Sequence, residues 1–223
     1  MWKNLPLDTL GLKIVLIDLP GHGSSVLHQG NDSPSIGFMA DQVLGVLDHL
    51  EVKEFHIVGH SMGGYVALDI KIKRPSCRKV VLLNSNYWVD TPSKKRDRKR
   101  VAKLAFESKA YFIRSAIPGL FLNPEKHRKQ VDFLINEALK ITSESIAFSS
   151  IAMTERNDCT SMLPNADLYI VHGSQDRLAL LTQFDRSFKE NGSLFTIENS
   201  GHMCHFESPV ELISIFKTIF VLA

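Results

Sequence analysis

The sequence predicts an α/β fold, a doubly wound and mostly parallel sheet with a helical insertion. Three observations lead there. Short, nearly continuous apolar runs recur at Lys13–Asp18, Phe55–Val58, Lys79–Asn84, Leu168–His172 and Ser193–Ile197, as in strands buried on both faces. Stretches of helical spacing separate them, the alternation that builds a parallel sheet. Between Ser85 and Cys159 the strand signal stops and helical spacing continues.

Taken in order, Lys13–Asp18 reads as the first strand, and Leu19-Pro20-Gly21-His22-Gly23-Ser24-Ser25 after it as a loop. From Ser35 to Leu50 the apolar positions Ile36, Met39, Val43, Val46, Leu47 and Leu50 fall on one helical face. Phe55–Val58 is the next strand, the stretch from Gly63 to about Arg74 the next helix, and Lys79–Asn84 the next strand. Helical spacing in the insertion involves Val101, Leu104 and Ala105, then Ala110, Phe112, Ile113 and Ile117, then Val131, Leu134, Ile135, Ala138 and Leu139. The sheet resumes at Leu168–His172. A helix over Leu180–Glu190, a strand over Ser193–Ile197 and a helix from Pro209 to about Val221 complete the pattern, with proline at a favoured helix start.

A chain of 223 residues with 44% hydrophobic content can bury one sizeable core. The expected division is a core of residues 1–84 and 160–223 and a helical cap of residues 85–159. The net charge of +2 gives no global field that would favour nucleic acid or an acidic membrane. The basic run Lys94–Arg100, broken only by Asp97, reads as a solvated helix start. Cys77, Cys159 and Cys204 are sparse and odd in number, which fits a reducing, cytoplasmic setting better than a disulfide framework. No apolar run reaches the length of a membrane span, and Met1–Pro6 lacks the basic-then-apolar design of a signal peptide.

The chemistry centres on Gly59-His60-Ser61-Met62-Gly63-Gly64, where a strand turns sharply into a helix. Gly-x-Ser-x-Gly in that context holds a serine in a strained turn with its Oγ presented at the end of the sheet. A serine hydroxyl needs an imidazole to take its proton, and the imidazole needs a carboxylate to fix its tautomer. Asp176 follows the strand Leu168–His172, and His202 follows the strand Ser193–Ile197. All three residues therefore fall in loops beyond the carboxyl ends of parallel strands, where open α/β sheets bind ligands. Asp90 is the rival acid and His205 the rival base. The cluster His202-Met203-Cys204-His205 lacks the further ligands of a closed zinc site, so no metal and no cofactor is expected.

Asp18-Leu19-Pro20-Gly21-His22-Gly23, Gly59–Gly64, His172-Gly173-Ser174-Gln175-Asp176 and Gly201-His202 together resemble the α/β-hydrolase superfamily. The resemblance is to its capped esterase, proline-iminopeptidase and carbon–carbon-bond hydrolase members, and it runs across nearly the whole chain. It implies a nucleophile at Ser61, an acid at Asp176, a base at His202 and one oxyanion donor at the Met62 N–H. It also implies that a helical cap roofs the pocket. Similar members begin with two or three more strands, and a His-Gly-apolar loop there gives the second oxyanion donor. No such segment precedes Lys13–Asp18, and Trp2-Lys3-Asn4-Leu5 resembles the tail of the helix that follows that loop. The expectation is a truncated chain, or one that lacks an active-site element, with an open sheet edge through which copies self-associate.

The function expected is a serine hydrolase that acts through an acyl-enzyme on a small carboxylic ester or related carbonyl compound. His60, Phe112 and Phe121 are candidates for substrate binding, Phe106 and Phe133 for the same apolar lining, and His22 for a flank of the pocket. The alternative is a small-molecule receptor of this fold with slow or no turnover, which the missing oxyanion loop motivates. A cofactor-free oxygenase or perhydrolase would use the same triad. A dehalogenase would need aspartate where Ser61 stands.

Overall fold

Four parallel strands form the sheet, in the computed structural model, in the spatial order β1-β2-β3-β4. They are β1 Phe55–His60, β2 Cys77–Leu83, β3 Leu168–Gly173 and β4 Leu194–Ile197. The structure describes residues 1–27, 33–162 and 167–220. The end of the last helix expected at Val221 lies outside the described residues.

Alternation along the strands sorts the core into two layers. Val80, Leu82, Leu168 and Ile170 point to one face, and Val81, Leu83, Val171 and Ile197 to the other. The first layer packs against α1 (Ile36–His49) and α2 (Met62–Lys73). The short α7 (Arg186–Glu190) covers it further along through Phe188. The second layer packs against α9 (Pro209–Phe220) through Leu212, Ile213, Phe216 and Ile219, and against Leu5 and Leu10 near the start of the chain. Helices thus cover both faces, which is why the strand sequences are largely apolar.

Between β2 and β3 the chain forms α3 (Pro92–Glu107), α4 (Lys109–Ala116), α5 (Arg128–Lys140) and α6 (Ser143–Ala152). Thr91 and Thr142 cap α3 and α6 by accepting from the N–H of Lys94 and Ser145. The basic run forms the first turns of α3. Lys94 donates to the carbonyl of Leu178 and Arg98 pairs with Asp90, while Arg96, Lys99 and Arg100 face solvent.

Two expectations need correction. Lys13–Asp18 is not a strand: it has no sheet partner among the described residues, and Leu12, Ile14, Val15 and Leu16 are exposed. An apolar run becomes a strand only when a neighbour satisfies its backbone, and β1 has its sole strand neighbour, among the described residues, in β2. Leu180–Glu190 is not one helix. A 3-10 turn covers Leu181–Gln183, and Asp185 then caps α7 by accepting from the Ser187 N–H, so the chain restarts there.

Candidate active site

Ser61 sits between β1 and α2 with φ 52° and ψ −120°, a conformation that L-residues avoid. Such a position costs on the order of 1–3 kcal/mol and persists only where its surroundings enforce it. Here the Ser61 N–H donates to the Leu83 carbonyl at 3.0 Å, and its own carbonyl accepts from the Ser85 hydroxyl at 2.7 Å. The turn also requires Gly59, where a Cβ would lie 2.1 Å from the Gly63 carbonyl oxygen. Ser61 is partly exposed, and its Oγ makes no hydrogen bond among the described residues. Met62 is the first residue of α2, so its N–H has no intrahelical acceptor.

Asp176 and His202 meet in the interior. His202 Nδ1–H donates to Asp176 Oδ2 at 2.8 Å, and Asn84 Nδ2 donates to the same oxygen at 2.9 Å. Oδ1 accepts from the Leu178 N–H at 2.8 Å. Burial alone would raise the Asp176 carboxyl, but the His202 imidazole, with Asn84 and the Leu178 N–H, outweighs it and holds the group down to about 2. The loops that carry the two residues touch backbone to backbone. At Gly173 a Cβ would lie 2.3 Å from the Gly201 carbonyl oxygen, which is why no side chain fits there.

His60 bridges the Ser61 turn and the His202 loop. Its Nε2–H donates to the His202 carbonyl at 2.8 Å, and the two rings lie 4.9 Å apart. Loss of solvent and the neighbouring His202 push its imidazole down to about 3, so it is neutral at neutral pH. The structure thus places Ser61, Met62, His60, Asp176 and His202 in one connected region.

The rivals have other partners. Asp90 pairs with Arg98 and, at 2.9 Å, with Arg156, whose guanidinium lies 4.0 Å over the ring of Tyr65. This carboxylate fastens α3 to the loop after β2. His205 is buried with both ring nitrogens unbonded, and its ring lies 4.7 Å from that of His60. Burial drives its imidazole well below the ordinary value. His22 Nδ1 engages the Pro20 carbonyl.

The aromatic residues do not form one wall. Phe121 is buried in a cluster with Ile113, Val131, Ile135, Met203 and Phe206, and Phe112 packs on its margin. Phe106 and Phe133 are exposed. An open cavity of about 290 Å3 lies at the head of α3, lined by Trp88, Val89, Thr91, Ser93, Lys94, Asp97 and Gln183 rather than by Ser61 or His202. No helix among the described residues is long and apolar enough to cross a membrane. None of the described His, Cys, Asp and Glu side chains form a group placed to hold a metal ion.

Two residues in this region carry no sequence motif. Asn84, with φ 46°, joins the Asp176 and His202 loops by donating to Asp176 Oδ2 and to the Gly201 carbonyl at 3.1 Å, and it accepts from the Cys204 thiol. Its place at the end of β2, beside the two loops, is the signal that could have found it. Glu207 accepts from the backbone N–H groups of Gly201 and Leu122, and only its nearness to Gly201-His202 marks it in sequence.

Comparison with known proteins agrees with this layout. The chain is 24% identical over 213 residues to the dihydrolipoyllysine-residue acetyltransferase component of an acetoin cleaving system from Pseudomonas putida. That match covers 92% of this chain and 55% of the relative, so the chain spans about half of that protein's length. A 2-hydroxy-6-oxononadienedioate/2-hydroxy-6-oxononatrienedioate hydrolase from Cupriavidus pinatubonensis is 37% identical over 81 residues, 33% of this chain and 27% of its own. Among solved structures, a thermophilic esterase from Thermogutta terrifontis superposes with a TM-score of 0.79 at 24% identity, covering 90% of this chain and 76% of its own. A family profile described as the alpha/beta hydrolase family matches residues 1–215, and the chain belongs to that family.

Proposed function

We propose that this protein is a serine hydrolase that works through an acyl-enzyme on a small carboxylic ester. The observation that carries the reading is the bond from His60, the residue before the strained serine, to the backbone of His202, whose ring is fixed by Asp176. In this scheme Ser61 Oγ attacks the carbonyl carbon while His202 Nε2 takes its proton, and the Met62 N–H receives the negative charge on the carbonyl oxygen. Asp176 holds the Nδ1–H tautomer that leaves Nε2 free to accept. The tetrahedral adduct collapses as His202 protonates the leaving alkoxide. Water, deprotonated by His202, then attacks the acyl carbon, and His202 returns that proton to Ser61 Oγ as the carboxylic acid leaves.

In this reading the helices of residues 85–159 act as a cap over the core of residues 1–84 and 160–223. The Cupriavidus pinatubonensis hydrolase among its relatives supports the reaction class. The free and buried thiols of Cys77, Cys159 and Cys204 suit a reducing, cytoplasmic setting. A fluorophosphonate probe should label the protein once, and Ser61→Ala should abolish the mass increase in intact-protein spectrometry. Equal labelling of both proteins would overturn the assignment of the nucleophile.

A further inference from the structure

The turn that carries His202 is bonded outward to the helical block as well as inward to the sheet. After Ser200, Gly201 and His202 the chain enters a single helical turn, α8 (Cys204–Glu207), and Glu207 at its end reaches back. Glu207 Oε2 accepts from the Gly201 N–H at 2.7 Å and from the Ser200 hydroxyl at 3.2 Å. Its other oxygen, Oε1, accepts from the Leu122 N–H at 2.7 Å, beyond the 3-10 turn Pro118–Leu120 between α4 and α5. The His202 N–H itself donates to the Leu120 carbonyl at 2.9 Å. Gly201 permits this approach, since a Cβ there would lie 2.8 Å from the Leu122 nitrogen. Met203 and Phe206, on either side of α8's first residues, are buried among Ile113, Phe121, Val131 and Ile135 of the block.

We infer that Glu207 is a positioning residue that locks the His202 turn to the Leu120–Leu122 segment, so that the helical block and the base move as one body. The inference rests on the reading of His202 as the base. A carboxylate is suited to the place because three donors converge on its two oxygens, which only accept. Glutamine would turn an NH2 toward either the Leu122 or the Gly201 N–H and leave one donor unpaired. Motion of the block as substrate enters is thereby passed to the imidazole, and a small displacement of a catalytic group is enough to cost on the order of 100-fold in rate.

Amide hydrogen exchange of the unaltered protein tests the lock directly. The Leu122 and His202 amides should exchange at rates within about threefold of each other once corrected for intrinsic rates, as members of one opening unit. Glu207→Gln should speed both by about tenfold or more, leave the β2 and β3 amides unchanged, and slow fluorophosphonate labelling of folded Ser61 by about tenfold. The loss should fall on the maximal labelling rate and not on the half-saturating probe concentration. Gly201→Ala forces the same two segments apart and should reproduce this pattern if Glu207→Gln does not fold.

Unequal exchange of the two amides in the unaltered protein, differing by more than tenfold, would overturn the inference. A Glu207→Gln protein that melts earlier but labels at the normal rate would do so as well, because the carboxylate would then serve stability alone. If the unaltered protein is not labelled, or Ser61→Ala is labelled equally, the hydrolase reading fails and the exchange rates still decide the lock.

Discussion

Asp176 and Asp90 are both buried carboxylates on loops that follow neighbouring strands, and their partners assign them different work. Asp176 accepts from an imidazole and an amide, whereas Asp90 is neutralised by two guanidinium groups. Asp176→Asn should therefore keep the fold and reduce ester turnover by about 10⁴-fold, because an amide favours the wrong imidazole tautomer. Asp90→Asn should leave Arg156 buried without its counter-charge and lower stability by about 3–5 kcal/mol with turnover of the folded fraction retained. Steady-state kinetics and thermal melts on the two variants check this, and the reverse pattern would make Asp90 the acid. The histidines set the acid limit. His60 titrates at about 3 and His205 well below its ordinary value near 6.5, because burial opposes their charge. Below about pH 6.5 the unfolded chain takes up protons that the folded protein refuses, so stability is full above that pH and falls as pH drops toward 3. Asp176, held at about 2 against an ordinary 3.8, extends the loss through the pH 4 to 2 range. Melting temperature measured against pH should decline from about pH 6.5 downward, and a curve flat to pH 4.5 would contradict the buried neutral imidazoles.

At the scale of elements, the residues legible in sequence were those whose role is fixed by near neighbours. The four strands of the sheet, the Ser61 turn and the positions of Asp176 and His202 follow from apolar runs, glycines and the loops after strands. Lys13–Asp18 has the same local signature as β2 but no partner, and pairing is a non-local property that composition does not carry. The break at Asp185 depends on one capping side chain. Asn84 reaches Asp176 and Gly201, and Glu207 reaches Leu122, all distant in sequence, so only their places at the end of β2 and just after Gly201-His202 mark them. The aromatics of the helical block show the same limit, since helical spacing gives a buried face without saying what it meets. Phe121, 4% exposed, packs on Phe206 at 6.2 Å between ring centres, whereas Phe106 is 60% exposed. Phe121→Ala should cost about 3–5 kcal/mol, and Phe106→Ala should stay within about 0.5 kcal/mol of the parent. Denaturant melts of the two variants distinguish this packing role from a role in lining the substrate site. If Phe121→Ala were neutral in stability and changed ester chain-length preference, the residue would face the pocket.

For the molecule as a whole, the open side of β1 is the feature with the widest consequence. β1 pairs with β2 alone, and its other edge presents unpaired backbone groups among the described residues. In the same molecule Leu12, Ile14, Val15 and Leu16 are exposed, at 44%, 38%, 37% and 45%, with no strand paired to them among the described residues. A free sheet edge and an unpaired apolar segment are both templates for strand addition. The net charge of +2 supplies little repulsion between copies. We therefore expect the chain to self-associate, with the Leu12–Leu16 segment of one copy and the β1 edge of another as the contact. Sedimentation velocity over a 100-fold concentration range should show the weight-average mass rising above the 25.1 kDa of one chain. Ile14→Lys combined with Leu16→Lys should return it to one chain while keeping the melting temperature, because these side chains are exposed in the monomer and a charged strand resists pairing. A parent protein that stays at one chain across that range would show that the edge is protected in solution, and would remove the case for association through β1.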